Sequence, residues 1–147
     1  MKTSLCAFNV SRQSFINLGV AVADTALTRL RGLLGRMRIR SDEALWVVPS
    51  HGIHTIGLLF PIDALYLDAE LRVVDSVENL GPLRIAPMRW QCASVLELPA
   101  RSIYESGTQV GDQLMVCSLE EMQGYWASQS REPAHTESPP PSLERAV

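Results

Sequence analysis

The sequence predicts a single compact α+β domain, mainly antiparallel β. A bent sheet or partly open barrel would carry one main helix and a short second helix. The chain has 147 residues, a length typical of one domain, and 46% of them are hydrophobic, which is enough for one core. Most of the chain is divided into short apolar runs separated by turn residues, as in β proteins. One longer stretch, residues 26–34, has the spacing of an amphipathic helix.

The elements follow in order along the chain. Strands are predicted at residues 4–10 and 14–22, and the polar residues between these runs indicate a hairpin. Asp24 and Thr25 are N-cap residues for the helix at 26–34, which Gly35 closes. Further strands are predicted at residues 44–48, 62–67, 71–78, 94–98 and 110–116, and one or two helical turns at 99–105.

The compact domain is predicted to cover residues 3–118, with an uncertain extension at 119–127. Residues 128–147 contain four prolines and mostly Ser, Glu and Arg, with no aromatic residue. Such a composition buries too little apolar surface to offset the entropy of ordering, so a disordered tail is predicted.

Composition excludes several classes of function. The formal net charge is −3, from 13 basic and 16 acidic residues, so the chain has no global attraction to nucleic acid or to an anionic membrane. No apolar run approaches the ~20 residues that span a bilayer, and the N-terminus lacks the apolar core of a secretory signal. Three scattered cysteines, Cys6, Cys92 and Cys117, indicate reduced thiols and a cytoplasmic location.

Five short motifs occur in a fixed order: Thr25-x-x-x-Arg29-x-Arg31-Gly32-Leu33-Leu34-Gly35-Arg36, His54-Thr55-Ile56-Gly57 leading to Pro61-Ile62-Asp63, Tyr66-Leu67-Asp68, Val95-Leu96-Glu97-Leu98-Pro99-Ala100, and Gly107-x-x-x-Gly111-Asp112. Together they resemble the domain of unknown function 192 family (uncharacterised protein family 0127), over about residues 18–116. The resemblance implies a small domain, mostly β with short helices, whose biochemical role is not established. The segment Ile53-His54-Thr55 is similar to a branch whose members look like accessory proteins of surface-appendage or secretion systems.

The chain departs from its relatives at two places. Many relatives have a Phe-Trp-Met-Lys-Asn-like segment where this chain has residues 52–58, so no role of that Lys-Asn pair carries over. Relatives also tend to have Asp-Gly where this chain has Glu70-Leu71. That difference disfavours a two-residue type I′ turn and favours a longer loop.

The candidate ligand-binding residues are polar side chains within apolar runs, where an unpaired polar group is costly. We expect a pocket around His54, with an arginine from residues 29–40, and the candidates are His54, Thr55, Asp63, Glu97, Arg29 and Arg31. Asp63 would accept hydrogen bonds from backbone amides or pair with an arginine, and Glu97 would pair with an arginine of the helix region. Whether His54, Asp63 and Glu97 converge is left open by the sequence.

His51 and His54 are weak candidates for a metal site. Residues three apart share a face only on a helix, and Gly52, Gly57 and Pro61 argue against a helix here. Zinc would also need a third ligand, such as Asp63 or Glu97. No cofactor is expected, and no catalytic residue is assigned.

The leading interpretation is a non-enzymatic binding or accessory module that binds a protein partner or a small ligand. The alternative is a small metal-assisted hydrolase that uses His51, His54 and Asp63. A third interpretation is a scaffold whose polar residues only hold loops. Neither nucleic acid nor a membrane span is expected, and the oligomeric state is left open.

Overall fold

A computed structural model describes residues 5–25 and 36–131 of the protein. These residues form a curled sheet of seven strands and two helices. The predicted α+β class is confirmed, since strands dominate and a longer helix accompanies a short one. The predicted helix at residues 26–34 lies outside the described residues. The elements are β1 (Leu5–Asn9), β2 (Ser14–Ala23), β3 (Ala44–Val47), β4 (Ile62–Leu67), β5 (Val73–Leu80), β6 (Ser94–Pro99), α1 (Ser102–Ser106), β7 (Leu114–Ser118) and α2 (Leu119–Gln129).

The sheet has the order β5-β4-β6-β3-β2-β1-β7. Strands β2 and β3 pair in parallel, and every other neighbouring pair is antiparallel. The predicted hairpin between β1 and β2 is present. A long connection between β2 and β3 brings β3 back in the same direction, as a parallel pair requires.

The two edge strands meet at one end, so the sheet forms a half-barrel. The Val73 N–H donates to the Asp112 carbonyl at 2.9 Å, and the Leu114 N–H donates to the Leu71 carbonyl at 3.0 Å. Arg72 and Gln113 form an isolated antiparallel bridge between them. The curl gives the sheet one concave face with one apolar cluster and one convex face with two.

Side chains from all seven strands fill the concave face, including Leu65, Leu96 and Leu98. Loops between strands cover the convex face over β4 and β6, where Ala64, Tyr66 and Val95 are buried. Helix α2 covers another part of that face, over β1 and β7. Strand β4 is buried at every position, as its continuous apolar run predicts.

The connection from β4 to β5 is a loop of residues 68–72, longer than a two-residue turn, as the sequence favours. One carboxylate oxygen of Asp68 accepts hydrogen bonds from the Glu70 and Arg72 N–H groups, at 3.0 and 2.8 Å. Leu71 has φ 63°, a left-handed conformation that glycine adopts without steric cost. The glycine that relatives tend to have at position 71 would adopt this conformation with less strain than Leu71 does.

Helix α2 covers the whole predicted extension, and its last two residues fall in the range predicted as tail. Ser118 and Glu121 form a capping box at its start: the Ser118 hydroxyl accepts from the Glu121 N–H, and the Glu121 carboxylate accepts from the Ser118 N–H. The buried Met122 fixes the helix on the sheet beside Phe8. The tail at residues 132–147 lies outside the described residues, and none of the described helices is long and apolar enough to cross a membrane.

Candidate binding site

Two loop segments, residues 51–56 and 83–88, pair antiparallel on the convex face; we call them the outer ribbon. The Thr55 N–H donates to the Arg84 carbonyl at 2.7 Å, and the Ala86 N–H donates to the Ile53 carbonyl at 3.0 Å. These two bonds flank an isolated bridge between His54 and Ile85. The pattern makes His54 and Ile85 a non-hydrogen-bonded pair, whose side chains lie close together on one face.

The side chains of the outer ribbon alternate between its two faces. Ile53, Thr55 and Ala86 are buried against the convex face of the sheet. His54 and Ile85 point outward, and Ile85 remains 75% exposed. In a ribbon that faces water, polar residues would occupy the outward positions. Here the outward positions are largely apolar, and they continue into Ile56, Leu83 and Met88.

Thr55 holds the outer ribbon to the chain beneath it. Its hydroxyl donates to the Gly81 carbonyl at 2.6 Å and accepts from the Arg84 N–H at 2.8 Å. The side chain is fully buried. The Thr55 hydroxyl is therefore fully used in hydrogen bonds to the main chain, and Thr55 stabilises the ribbon from the side that faces the sheet.

His51 is held at the end of the outer ribbon. Its Nδ1 lies 2.6 Å from the Cys92 carbonyl oxygen. Because a carbonyl can only accept, Nδ1 carries the hydrogen, which leaves Nε2 as an acceptor in the neutral ring. The ring also packs near Trp90, with 5.8 Å between the ring centroids. Trp90 itself is 80% exposed.

A cavity of about 450 Å³ lies beside the ribbon. It is lined by residues 49–54 and 56 and by Ile85, Ala86 and Met88. Both His51 and His54 line it. The two segments pack closely at Gly52, where a Cβ would lie 3.3 Å from the Met88 Cγ. The cavity is mainly apolar, with two imidazoles as its ionisable groups.

Asp63 is buried elsewhere. It pairs with Leu98 across β4 and β6, and both side chains lie on the concave face. Its two carboxylate oxygens accept hydrogen bonds from the Asn79 N–H at 2.9 Å and the Ile103 N–H at 3.0 Å. Of the two predicted partners for this carboxylate, backbone amides and an arginine, the amides are present. Asp63 therefore joins β4 to the end of β5 and to α1.

Glu97 lies on the opposite face of the sheet from Asp63. It pairs with Ala64 on β4 and with Leu45 on β3, which place it on the convex face. Burial raises the pKa of its carboxyl from 4.5 to about 7. Within the described residues it forms no ion pair, and Arg29 and Arg31 lie outside them. Since neighbouring residues of a strand point to opposite faces, the Asp63 and Glu97 carboxyl groups do not meet.

The DUF192 family model, described as an uncharacterized ACR, matches residues 8–116. The chain belongs to the DUF192 family. The predicted resemblance is thereby confirmed over most of the half-barrel, including the outer ribbon. No curated protein matches the sequence.

Two crystal structures share the fold of this DUF192 chain. A protein of unknown function from Novosphingobium aromaticivorans is 18% identical with a TM-score of 0.65, over 76% of this chain and 83% of that one. A "putative transcription regulator" from Sinorhizobium meliloti is 23% identical with a TM-score of 0.66, over 76% of this chain and 91% of that one. At these identities the similarity establishes the fold alone.

The candidate residues of this DUF192 chain lie in different parts of the structure. His54 and Thr55 belong to the outer ribbon, and Glu97 shares the convex face with it. Asp63 instead lines a second cavity, of about 330 Å³, together with Arg101 and Tyr104. Of the arginines near residues 29–40, Arg36 pairs with Glu43 and Arg40 pairs with Asp42. In residues 5–25 and 36–131 no three histidine, cysteine, aspartate or glutamate side chains are grouped to hold a metal ion.

Sequence reasoning missed the apolar half of the site. The glycine and prolines of residues 80–82 and 86–87 predict loop at these two places. The available signal was a loop segment, 83–90, with four large apolar side chains and no acidic residue: Leu83, Ile85, Met88 and Trp90. Exposed clusters of such side chains commonly mark interaction surfaces.

Proposed function

We propose that this chain is a non-enzymatic binding module whose outer ribbon binds an apolar segment of a partner protein. The main support is the exposed apolar surface of the ribbon, where Ile56, Ile85 and Met88 line the same cavity as His54. Contiguous exposed apolar surface around a concavity is typical of protein-interaction sites.

The rigidity of the site supports binding. Main-chain bonds join the two segments of the ribbon, and the buried Thr55 hydroxyl ties both segments to Gly81. The Arg89 N–H donates to the His51 carbonyl at 2.8 Å, which fixes the far end. A surface that is already ordered loses less conformational entropy when a partner binds.

Asp63 and His51 are already hydrogen-bonded to the main chain, which favours a binding role over acid–base catalysis. Asp63 has both carboxylate oxygens on backbone amides, on the face away from the histidines. His51 has one ring nitrogen committed to the Cys92 carbonyl. The remaining groups of the cavity, the His54 imidazole and the His51 Nε2, are suited to orienting a bound segment by hydrogen bonds.

We further propose a cytoplasmic accessory role, linked to a secretion or surface-appendage system. Cys6, Cys92 and Cys117 are all free thiols, which supports a reducing location. The link to such a system rests on the similarity of Ile53-His54-Thr55 to one branch of the family.

Selection from a displayed library of random twelve-residue peptides tests the proposal. The immobilised protein should enrich peptides with several apolar residues, and their binding should fall at least tenfold in Ile85→Ser, as loss of a central apolar contact does. Val110→Ser is the matched control, because Val110 is 58% exposed but lies at the entry to β7, away from the ribbon. If no peptide is enriched, or if Ile85→Ser and Val110→Ser bind equally well, the binding function is rejected.

A further inference from the structure

The main chain of His54 has unused hydrogen-bonding groups. In the antiparallel pair with Ile85, the flanking bonds are made by Thr55 and Ile53, so the N–H and C=O of His54 point away from the 83–88 segment. Neither group has a hydrogen-bond partner among residues 5–25 and 36–131. The Ile56 N–H, two residues further on, also lacks one in that part of the chain.

This spacing matches the bonding pattern of a strand edge. Along an antiparallel edge, every second residue presents its main-chain groups outward. His54 presents its N–H and C=O, and Ile56, which begins the turn closed by the Leu58 N–H on the Thr55 carbonyl, adds its N–H. Both residues are exposed, and both line the cavity. The apolar surface of the cavity thus lies beside a short open edge of main chain.

We propose that the partner segment binds in extended conformation and adds a third strand to the outer ribbon along the His54 edge. This inference rests on the proposed function. Main-chain hydrogen bonds to His54 and Ile56 would set the register, and alternate side chains of the segment would enter the apolar cavity. Residues 49–54 and 56, the segment that carries the His54 edge, form most of the cavity lining. A partner segment bound along the His54 edge would therefore lie nearer the cavity than one bound along the Ile85 edge.

The charge of the surface indicates which segments fit. Residues 49–62 and 79–93 contain no aspartate or glutamate, although the chain as a whole has a net charge of −3. They contain two arginines, and one of these, Arg89, is paired with Asp75. The site therefore favours an apolar segment with neutral or acidic flanks over one with basic flanks.

The test uses a library-selected peptide whose binding is lost in Ile85→Ser. Each backbone nitrogen of the peptide is methylated in turn, and the dissociation constant is measured with the full-length protein. An added strand uses every second N–H, so methylation should weaken binding about tenfold at alternate positions and little at the positions between. Hydrogen exchange should also show new protection of the His54 and Ile56 amides in the complex.

A pair of protein variants gives a second readout. His54→Ala keeps the backbone N–H, whereas His54→Pro removes it at an edge position where proline is tolerated. Binding should be weaker in His54→Pro than in His54→Ala by about tenfold. The N-methyl series remains decisive if His54→Pro does not fold.

The outcomes separate the two proposals. An Ile85-sensitive peptide without two-residue alternation, or with the three-to-four-residue periodicity of a helix, overturns strand addition and leaves the binding function in place. The absence of any Ile85-sensitive peptide overturns both.

Discussion

Thr55 and Arg84 are joined by two hydrogen bonds in opposite directions. The Thr55 N–H donates to the Arg84 carbonyl at 2.7 Å, and the Arg84 N–H donates to the Thr55 hydroxyl at 2.8 Å. The single hydrogen of that hydroxyl is donated to the Gly81 carbonyl, 2.6 Å away. One buried side chain therefore organises the outer ribbon.

Replacement of Thr55 by valine should destabilise the protein by about 2–3 kcal/mol. Valine has a similar shape but leaves the Arg84 N–H and the Gly81 carbonyl without their buried partner. Thr55→Ser keeps the hydroxyl and should cost clearly less. Urea unfolding of both variants checks this. A loss in Thr55→Val no larger than the loss in Thr55→Ser would show that the hydroxyl contributes no more to stability than the methyl group does.

Replacement of Asp63 by asparagine should cost about 2–4 kcal/mol in unfolding free energy. The carboxylate accepts from two amides, Asn79 and Ile103, whereas asparagine has one acceptor oxygen and turns an NH₂ group toward the other donor. The control is Asp42→Asn, an exposed carboxylate paired with Arg40, which should change the free energy by less than about 1 kcal/mol. An unchanged unfolding free energy in Asp63→Asn would mean that the hydrogen bonds from the Asn79 and Ile103 N–H groups do not stabilise the fold.

The stability contributed by Glu97 should fall as the pH rises from about 4.5 to about 7. Burial raises the pKa of its carboxyl to about 7 in the folded state, against an ordinary value of 4.5. The folded protein therefore holds the proton more tightly than the unfolded chain, and folding becomes less favourable as that proton is lost. The difference amounts to at most about 3 kcal/mol.

Unfolding free energies of the wild type and Glu97→Gln, measured from pH 4 to pH 8, check this prediction. Glu97→Gln should gain stability relative to the wild type across that interval, because glutamine stays neutral. Glu105→Gln is the control, since Glu105 is exposed and its variant should follow the wild type. A constant difference between Glu97→Gln and the wild type would contradict the raised pKa.

The three cysteines should resist alkylation in the folded protein. All are buried, and burial together with the neighbouring Cys6 raises the pKa of the Cys117 thiol to about 11. Burial also raises the pKa of Cys92. Iodoacetamide at pH 8 should label none of them within the time that labels all three in urea, because the thiolate is the reactive form. Rapid labelling of Cys6 or Cys117 in the native protein would indicate that α2 leaves the sheet readily.

The strands were predictable because their burial pattern follows from the order of apolar and polar residues in the local sequence. The continuous apolar run at 62–67 and the paired runs at 4–10 and 14–22 correspond to β4 and to the β1–β2 hairpin. The need to pair the Asp63 carboxylate was also predictable, since an isolated charge in a buried strand is costly. Its partners Asn79 and Ile103 were not, because they are distant in the chain and depend on the topology.

The site was predictable only in part. The sequence predicts a site at His54 because it is a polar residue within an apolar stretch, and His54 does line a cavity. Whether it would meet Asp63 or Glu97 depended on register, which places those two carboxylates on opposite faces of the sheet. The contribution of Ile85 depended on the pairing of two loops whose residues are about 30 positions apart, and no local periodicity reveals such a pairing.

The most direct test of the account is a chemical-shift map of the ¹⁵N-labelled protein titrated with a library-selected peptide. The account predicts that the largest shifts fall on residues 51–56 and 83–90, with small shifts around Arg101 and Tyr104 at the second cavity. Shifts concentrated at Arg101 and Tyr104, or spread evenly over the half-barrel, would contradict the assignment of the outer ribbon as the binding surface.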